Sequence, residues 1–509
     1  MVARLHSATF SGIEAVQVEV EVDVSHKGFA STTIVGLPDA AVKESIERVR
    51  SAMQNSGYGF PRYKTVINLA PADLKKEGPA FDLPIALGIL FANGDVVADC
   101  ADRNLVTGEL ALDGRVRSAK GVLSAALLAK QHGFRGIIVP EANAREAAVV
   151  DGLDVIPVTS LTQAAGFLSG QLPLEPTVID LDDVFARSSQ YDCDFSEVRG
   201  QEHVKRALTI AAAGAHNVLL IGPPGAGKTM LAKRIPTILP PLTLEESLET
   251  TRIHSVSGTL EPGVALLATR PVRSPHHSAS TPALVGGGSI PQAGEVSLAH
   301  FGVLFLDEFP EFARGALEAL RQPIEDGHVT IARAHATVSF PASFMLIAAM
   351  NPCPCGYYTD PRRPCKCTPL QIDRYLSRIS GPLIDRIDIH LEVPAVPVAE
   401  LRSKAEGTSS SAIREKVMAA RDRQRSRFDG LPTMTNGRMS GKMLRKWCQL
   451  DDTSESVLRQ AMTELGLSAR AHDKVLRLSR TIADLADRDS LVSEDVLEAI
   501  HYRRLDRQL

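Results

Sequence analysis

The sequence predicts an α/β protein of several domains that ends in a helical C-terminal region. Three observations carry this prediction. The chain has 509 residues, too many for one hydrophobic core. Short apolar, strand-like runs alternate with helical spacing over residues 1–170 and resume at 196. Beyond residue 412 the strand-like runs stop and apolar residues recur at helical spacing.

Taken in order, Val16 to Val24 alternates apolar and acidic residues, as a half-buried strand does. Asp39 to Gly57 has helical spacing and ends on a glycine, a C-terminal stop. Thr65 to Leu69 is a short apolar strand, and Phe81 to Ala92 is apolar enough for a buried helix. Leu123 to His132 is a further helix, followed by a strand from Gly136 to Val139 that stops at Pro140. These elements make residues 1–170 a compact α/β domain. Residues 171–195 hold two prolines and an acidic run without sustained periodicity, and are expected to be a linker. A second α/β domain is expected over 196–402, then a flexible break over 403–411. Residues 412–509 are helix-rich, with helical spacing in Val457 to Leu465 and Lys474 to Leu485.

Hydrophobic content of 44% and charged content of 23% are ordinary for a globular protein. A net charge of −4 gives no global reason to bind nucleic acid, so any such contact needs a local basic surface. The N-terminus lacks the charged start, apolar run and cleavage site of a signal peptide. No apolar stretch reaches the roughly 18 residues that span a bilayer. Of seven cysteines, four lie between Cys353 and Cys367, while Cys100, Cys193 and Cys448 are scattered. That clustering points to a metal site and away from a secreted disulfide framework. The chain is expected to be cytoplasmic and to have no dealings with membranes.

The strongest local signal begins at Asn217 to Ile221, an apolar strand that runs into Gly222, Pro223, Pro224, Gly225, Ala226, Gly227, Lys228 and Thr229. A helix from Met230 to Ile235 follows, so the P-loop pattern stands in the setting it requires. Its glycines let backbone N–H groups converge on phosphates, and the helix N-terminus adds a favourable dipole. Lys228 is expected to reach the β- and γ-phosphates of ATP, and the Thr229 hydroxyl to bind Mg2+. Gly302 to Glu308 is a buried-strand run that ends in two carboxylates. Asp307 is expected to hold Mg2+ and Glu308 to polarise the attacking water, which makes the chain an ATPase. Phe344 to Met350 is a third apolar strand with Asn351 at its tip. There an asparagine can bond the γ-phosphate and the attacking water, although Asn before Pro is also an ordinary turn former.

Arg273 to His277, Leu284 to Ser289, Gly294 to His300 and Gly302 to Glu308 resemble the AAA+ module of magnesium-chelatase-like proteins. With the N-terminal segment included, nearly the whole chain resembles the ComM (YifB) family. The resemblance implies a hexameric, ATP-driven DNA motor. It implies branch-migration helicase activity on single-stranded or branched DNA during integration of transforming DNA. By the same resemblance Arg386 is an arginine finger for a neighbouring subunit's ATP. Arg470 matches the second sensor, which contacts the γ-phosphate from the helical lid. Arg374 and Arg378 are lesser candidates for that interface. The loop from Leu284 to Glu295 is implied to be a pore-facing insertion in a helix, and Asp326 to Arg333 a pore-facing hairpin. Asp326 and Gly327 suit a hairpin turn, and Arg333 is a candidate for gripping phosphates.

Residues 1–170 resemble the Lon-protease-like fold. Lys76 to Asp82 matches the Lon stretch around its catalytic serine, with Ala80 at the serine position. The lysine position falls on or near Leu123. A Ser–Lys dyad needs both partners, so peptidase activity is rejected and a scaffold remains. Arg115, Arg117 and Lys120 form a modest basic cluster, facing either a phosphate backbone or solvent.

Cys353 and Cys355, then Cys365 and Cys367, make two C-x-C knuckles with nine residues between them. Four thiolates can close a tetrahedral Zn2+ site, with reduced surface cysteines or a redox pair as alternatives. From Arg414 to Lys446 there are ten Lys or Arg and three acids, the best local basic stretch for DNA. The Lon-like domain and the cysteines favour the DNA motor over its alternative, the remodelling ATPase of a magnesium-chelatase-type complex acting on a protein partner. Ala80 disfavours a protease-coupled unfoldase.

Overall fold

The structure is a computed structural model that describes residues 2–25, 29–97, 101–187, 191–288, 291–333, 336–358, 360, 362–396, 407–431 and 433–503. Cys100, Ser289 and residues 403–406 of the expected break lie outside the described residues. The chain divides into two compact units, Met1–Ser188 with Ser247–Ala268, and Ser189–Glu246 with Thr269–Leu509. Within the stretch 196–402, Ser247–Ala268 thus packs with the first unit. Ala265 and Leu266 belong to the same apolar cluster as Leu105, Val139 and Val155 of the first unit.

In the first unit, the alternating run expected at Val16 to Val24 forms strand Glu14–Val24, antiparallel to Val2–Ser11 and to Lys64–Ala70. It belongs to a seven-stranded sheet whose other neighbouring strands pair in parallel. Asp39 starts helix Ala40–Asn55 by accepting the Val42 N–H at 2.7 Å, as an N-cap does. The expected buried helix is Asp82–Asn93, fully enclosed from Asp82 to Ala92. Gly88 lets it lie on the sheet, since a Cβ there would sit 2.6 Å from Val22 Cγ2. Helix Val122–Gln131 and strand Gly136–Pro140 follow as expected.

The segment 171–195 is not featureless. It carries helix Leu181–Arg187 and ends in a turn at Phe195, which is fully buried in the core of the second unit.

The second unit is built on a five-stranded sheet in which every neighbouring pair is parallel. Across it run Val272–Arg273, Val303–Leu306, Met345–Met350, Val218–Ile221 and Ile389–Glu392. The central three are apolar throughout, and their side chains are buried on both faces of the sheet. The helical region holds Ser410–Arg427, Gly441–Trp447, Asp452–Leu465, Ala469–Leu485 and Ser493–His501. In the insertion, helices Thr281–Val285 and Glu295–Leu298 flank the short paired strands Gly286–Gly287 and Gln292–Ala293. One expectation is corrected here. Asp326 and Gly327 do not turn a hairpin: Asp326 ends helix Arg321–Asp326, and Gly327, at φ 71°, caps it. The hairpin is His328–Arg333 with Ala336–Pro341, and its turn at 334–335 lies outside the described residues.

Candidate active site

Three strands deliver the site residues to one edge of the parallel sheet. The P-loop follows Val218–Ile221, Asp307 and Glu308 follow Val303–Leu306, and Asn351 follows Met345–Met350. The register sets Ile221 opposite Met350 and Leu306 opposite Ala348, so these loops leave the sheet side by side. Open α/β sheets bind ligands beyond the carboxyl ends of their strands for this reason. Gly222 is obligatory where it stands, because a Cβ would meet the Val393 carbonyl oxygen at 2.2 Å. Gly227, at φ 89°, starts helix Lys228–Ile238 without any side-chain cap, leaving its first N–H groups to an anion.

Lys228, Thr229, Asp307, Glu308 and Asn351 line a cleft of 420 Å3. Lys228 Nζ donates to the carbonyls of Gly222 at 2.7 Å and Pro223 at 3.1 Å, and to Asn351 Oδ1 at 3.1 Å. Burial lowers its pKa, against the pull of Asp307. Thr229 Oγ1 donates to Asp307 Oδ2 at 2.7 Å, while the Glu308 N–H donates to Asp307 Oδ1 at 2.9 Å. Two oxygens this close suit neighbouring corners of a Mg2+ octahedron, whose edge is about 3 Å. Mg2+ held there supplies charge neutralisation at phosphate oxygens.

Glu308 sits in left-handed backbone at φ 52°, and its Oε2 lies 3.0 Å from His277 Nδ1. His277 stacks on His276 with centroids 4.0 Å apart and meets the edge of Phe312 at 6.5 Å. The loop that carries it is tied down by Arg273, which donates to both oxygens of Glu295 at 2.6 and 2.8 Å. The sequence holds the His276–His277 pair in plain view, yet nothing local links it to a carboxylate on another strand.

Arg386 and Arg470 do not line this cleft. They meet elsewhere, on Glu325: Arg386 lies 2.7 Å from Glu325 Oε2 and Arg470 3.8 Å from Oε1. Arg386 is buried and also donates to the Pro382 carbonyl at 2.7 Å. Arg378 pairs with Glu311 at 2.6 Å, and Arg374 is exposed on helix Pro369–Leu376. A separate groove of 820 Å3 is lined by Glu325, Arg386 and Arg333, among others. Arg333 Nε donates to the Gly288 carbonyl at 3.2 Å, joining the hairpin to the helix insertion.

The sulfurs of Cys353, Cys355, Cys365 and Cys367 all lie within 4.8 Å of one another. Separations of 3.3 Å for Cys353–Cys355, 3.7 Å for Cys353–Cys365 and 3.5 Å for Cys355–Cys365 are far beyond a disulfide bond. They approach the edge of a Zn–S tetrahedron, about 3.8 Å for bonds of about 2.3 Å. Backbone N–H groups of Lys366 and Tyr357 aimed at its sulfur hold the Cys355 thiol below its usual range. The four-thiol set fits zinc.

The basic stretch from Arg414 to Lys446 does not form a continuous basic face. Arg414 donates to the Thr237 carbonyl at 2.7 Å and Arg421 to that of Ala212 at 3.0 Å. Arg423 pairs with Asp487 and Asp489, Arg425 with Asp422, and Arg427 with Asp484 at 2.7 Å. This charge packs the helical region; Lys416, Lys442, Arg445 and Lys446 stay exposed. In the first unit Arg115 pairs with Asp113 at 2.7 Å and Arg117 with Glu109 at 3.6 Å, while Lys120 is exposed. Ala80 and Leu123 occupy the positions expected of a serine and a lysine, and the Leu123 N–H donates to buried Glu146 at 2.9 Å. Among the described residues, no helix is long and apolar enough to cross a membrane.

Comparison with known proteins covers the whole chain. The family described as "Subunit ChlI of Mg-chelatase" matches residues 20–143, "Magnesium chelatase, subunit ChlI" matches 194–401, and "Magnesium chelatase, subunit ChlI C-terminal" matches 407–503. The uncharacterized protein YifB of Escherichia coli (strain K12) is 45% identical over 509 residues, covering 99% of this chain and 97% of YifB. Competence protein ComM of Haemophilus influenzae is 44% identical over 510 residues, covering 100% of this chain and 98% of ComM. Lon protease 2 of Bacillus subtilis is 29% identical over 122 residues, 24% of this chain and 22% of the protease. The magnesium-chelatase-like AAA+ module implies ATP, Mg2+ and ATPase activity. Whole-length identity of this order, together with a P-loop cleft at the carboxyl ends of a parallel sheet, leads to one conclusion: the chain belongs to the ComM/YifB family of magnesium-chelatase-like AAA+ proteins.

Proposed function

We propose that the chain is an ATP-driven DNA motor that promotes branch migration during recombination and the integration of transforming DNA. The observation that carries the ATPase half is the cleft shared by Lys228, Thr229, Asp307, Glu308 and Asn351. In this reading Lys228 and the P-loop N–H groups bind the phosphates, and Thr229 and Asp307 hold Mg2+. Glu308 polarises the attacking water, and Asn351 bonds the γ-phosphate. The DNA half is supported by whole-length kinship to a competence protein.

The protein works as a ring, with six subunits as the family resemblance implies. The seat of Arg386 on Glu325, away from the chain's own cleft, supports its serving a neighbour's ATP, while Arg470 is the second sensor that reaches the γ-phosphate from the helical lid. Arg333 and the helix insertion are the elements offered to single-stranded or branched DNA. The four thiols hold a structural Zn2+, and their reduced, clustered state suits the cytoplasm.

The family description supports a second reading, a remodelling ATPase acting on a protein partner. ATPase rate with and without branched DNA separates the two, with Lys228→Ala as the control for contaminating phosphatase. Strong stimulation by DNA is expected. Turnover indifferent to DNA sinks the motor, and turnover retained by Lys228→Ala sinks the cleft.

A further inference from the structure

The four-cysteine knuckle presses on the nucleotide cleft. Its turn residue Gly356, at φ 85°, approaches the P-loop so closely that a Cβ there would sit 2.5 Å from Pro224 Cδ and 3.8 Å from Asn351 Cγ. The chain enters the knuckle from Asn351, two residues before Cys353. It leaves through Cys367 into helix Pro369–Leu376, whose capping box begins at Thr368. That helix carries buried Tyr375, whose hydroxyl pKa is raised chiefly by burial and pulled back by the nearby Asn351 backbone N–H. The loop therefore begins at an asparagine whose Oδ1 accepts from Lys228, and its turn folds back toward the same side chain. What joins the two arms is the sulfur cluster, Cys353 and Cys355 on one arm and Cys365 and Cys367 on the other. Thiols attract one another weakly, so closing the loop needs more than their own contacts. A tetrahedral metal supplies that closure, because its binding energy is folding energy for the segment that surrounds it.

We propose that Zn2+ bound by the knuckle fixes Pro224 and Asn351 in position, so that nucleotide affinity depends on a second metal remote from the phosphates. The inference rests on the P-loop cleft being the nucleotide site and adds to it a means of control. Loss of zinc releases the arms and lets Gly356 withdraw from Pro224.

The test uses the full-length protein. A chelator selective for soft metals strips it in excess Mg2+, and the affinity for a fluorescent ATP analogue is measured before stripping, after it, and after adding back Zn2+ alone. About one Zn2+ per chain is expected to be released, with affinity weakened by roughly tenfold or more and recovered with the metal. Equal affinity of stripped and loaded protein overturns the proposal, as does a protein that neither carries Zn2+ nor takes it up. Gly356→Ala keeps all four thiols and is expected to retain zinc while binding nucleotide more weakly. Unchanged affinity in that variant overturns the contact with Pro224. If zinc-loaded protein binds no nucleotide at all, the cleft assignment itself falls and takes the proposal with it.

Discussion

The P-loop cleft and the Lon-like unit both gather ionisable side chains, and they do so in opposite ways. In the cleft Lys228, Thr229, Asp307 and Asn351 bond one another at the wall of an open space. Each of those bonds can be exchanged for one to a phosphate or a cation. In the Lon-like unit the partners are enclosed. Asp82 is buried against Arg48 at 2.8 and 3.0 Å and against the Leu110 N–H at 3.3 Å, and burial pushes its carboxyl up to about 6. Lys76 donates to the carbonyls of Pro71 and Leu74, and Glu146 accepts from Leu123 and Ser255. Charge left exchangeable is available for chemistry, while charge satisfied on every side serves the fold.

The largest expected effect tests whether the cleft is complete within one chain. Arg386→Ala should lower turnover by about 10³-fold, the usual weight of an arginine finger, without weakening nucleotide binding. Mixing it with Lys228→Ala should restore part of the activity, since each variant supplies what the other lacks. Failure of the mixture to exceed either parent removes Arg386 from the neighbour's site. Next, Glu308→Gln should bind ATP normally and turn over about 10²- to 10³-fold more slowly in single-turnover assays. Normal turnover would show that Glu308 does not activate water.

The enclosed charges should behave differently. Asp82→Ala strands the Arg48 guanidinium and should cost about 2 kcal/mol of stability in denaturant titration. The ATPase rate per folded molecule should stay the same; a fall in rate with unchanged stability would make Asp82 a functional group and break the comparison. The smallest kinetic effect is expected from His277→Ala. It leaves Glu308 in place but less well oriented, so kcat should fall by up to about tenfold with KM unchanged. A rise in KM alone would move His277 from orientation to binding.

How much was legible follows from the range over which each feature is encoded. Asp307 and Asn351 follow apolar strands directly, and Lys228 and Thr229 close the glycine-rich loop that follows another, so local spacing announced them before the sheet brought them together. The enclosed helix Asp82–Asn93 was equally plain, being apolar along its length. The basic stretch misled because its partners are remote: Arg427 meets Asp484, 57 residues on. Asp326 and Gly327 misled because the same pair serves a hairpin turn or a helix end, and the preceding helix decides between them.

The sequence alone therefore determined the α/β class, the strand ends that carry the P-loop and the two acids, and the lack of a Ser–Lys dyad at Ala80 and Leu123. Each is written in contiguous residues and follows from the periodicity of strands and helices or from side-chain chemistry. Tertiary structure decided that His277 faces Glu308, that Arg386 and Arg470 share Glu325, and that Gly356 rests on Pro224. It also decided that Ser247–Ala268 belongs to the first unit. Those contacts join residues far apart in the chain, and only the pairing of strands and the packing of helices brings them within a few ångströms.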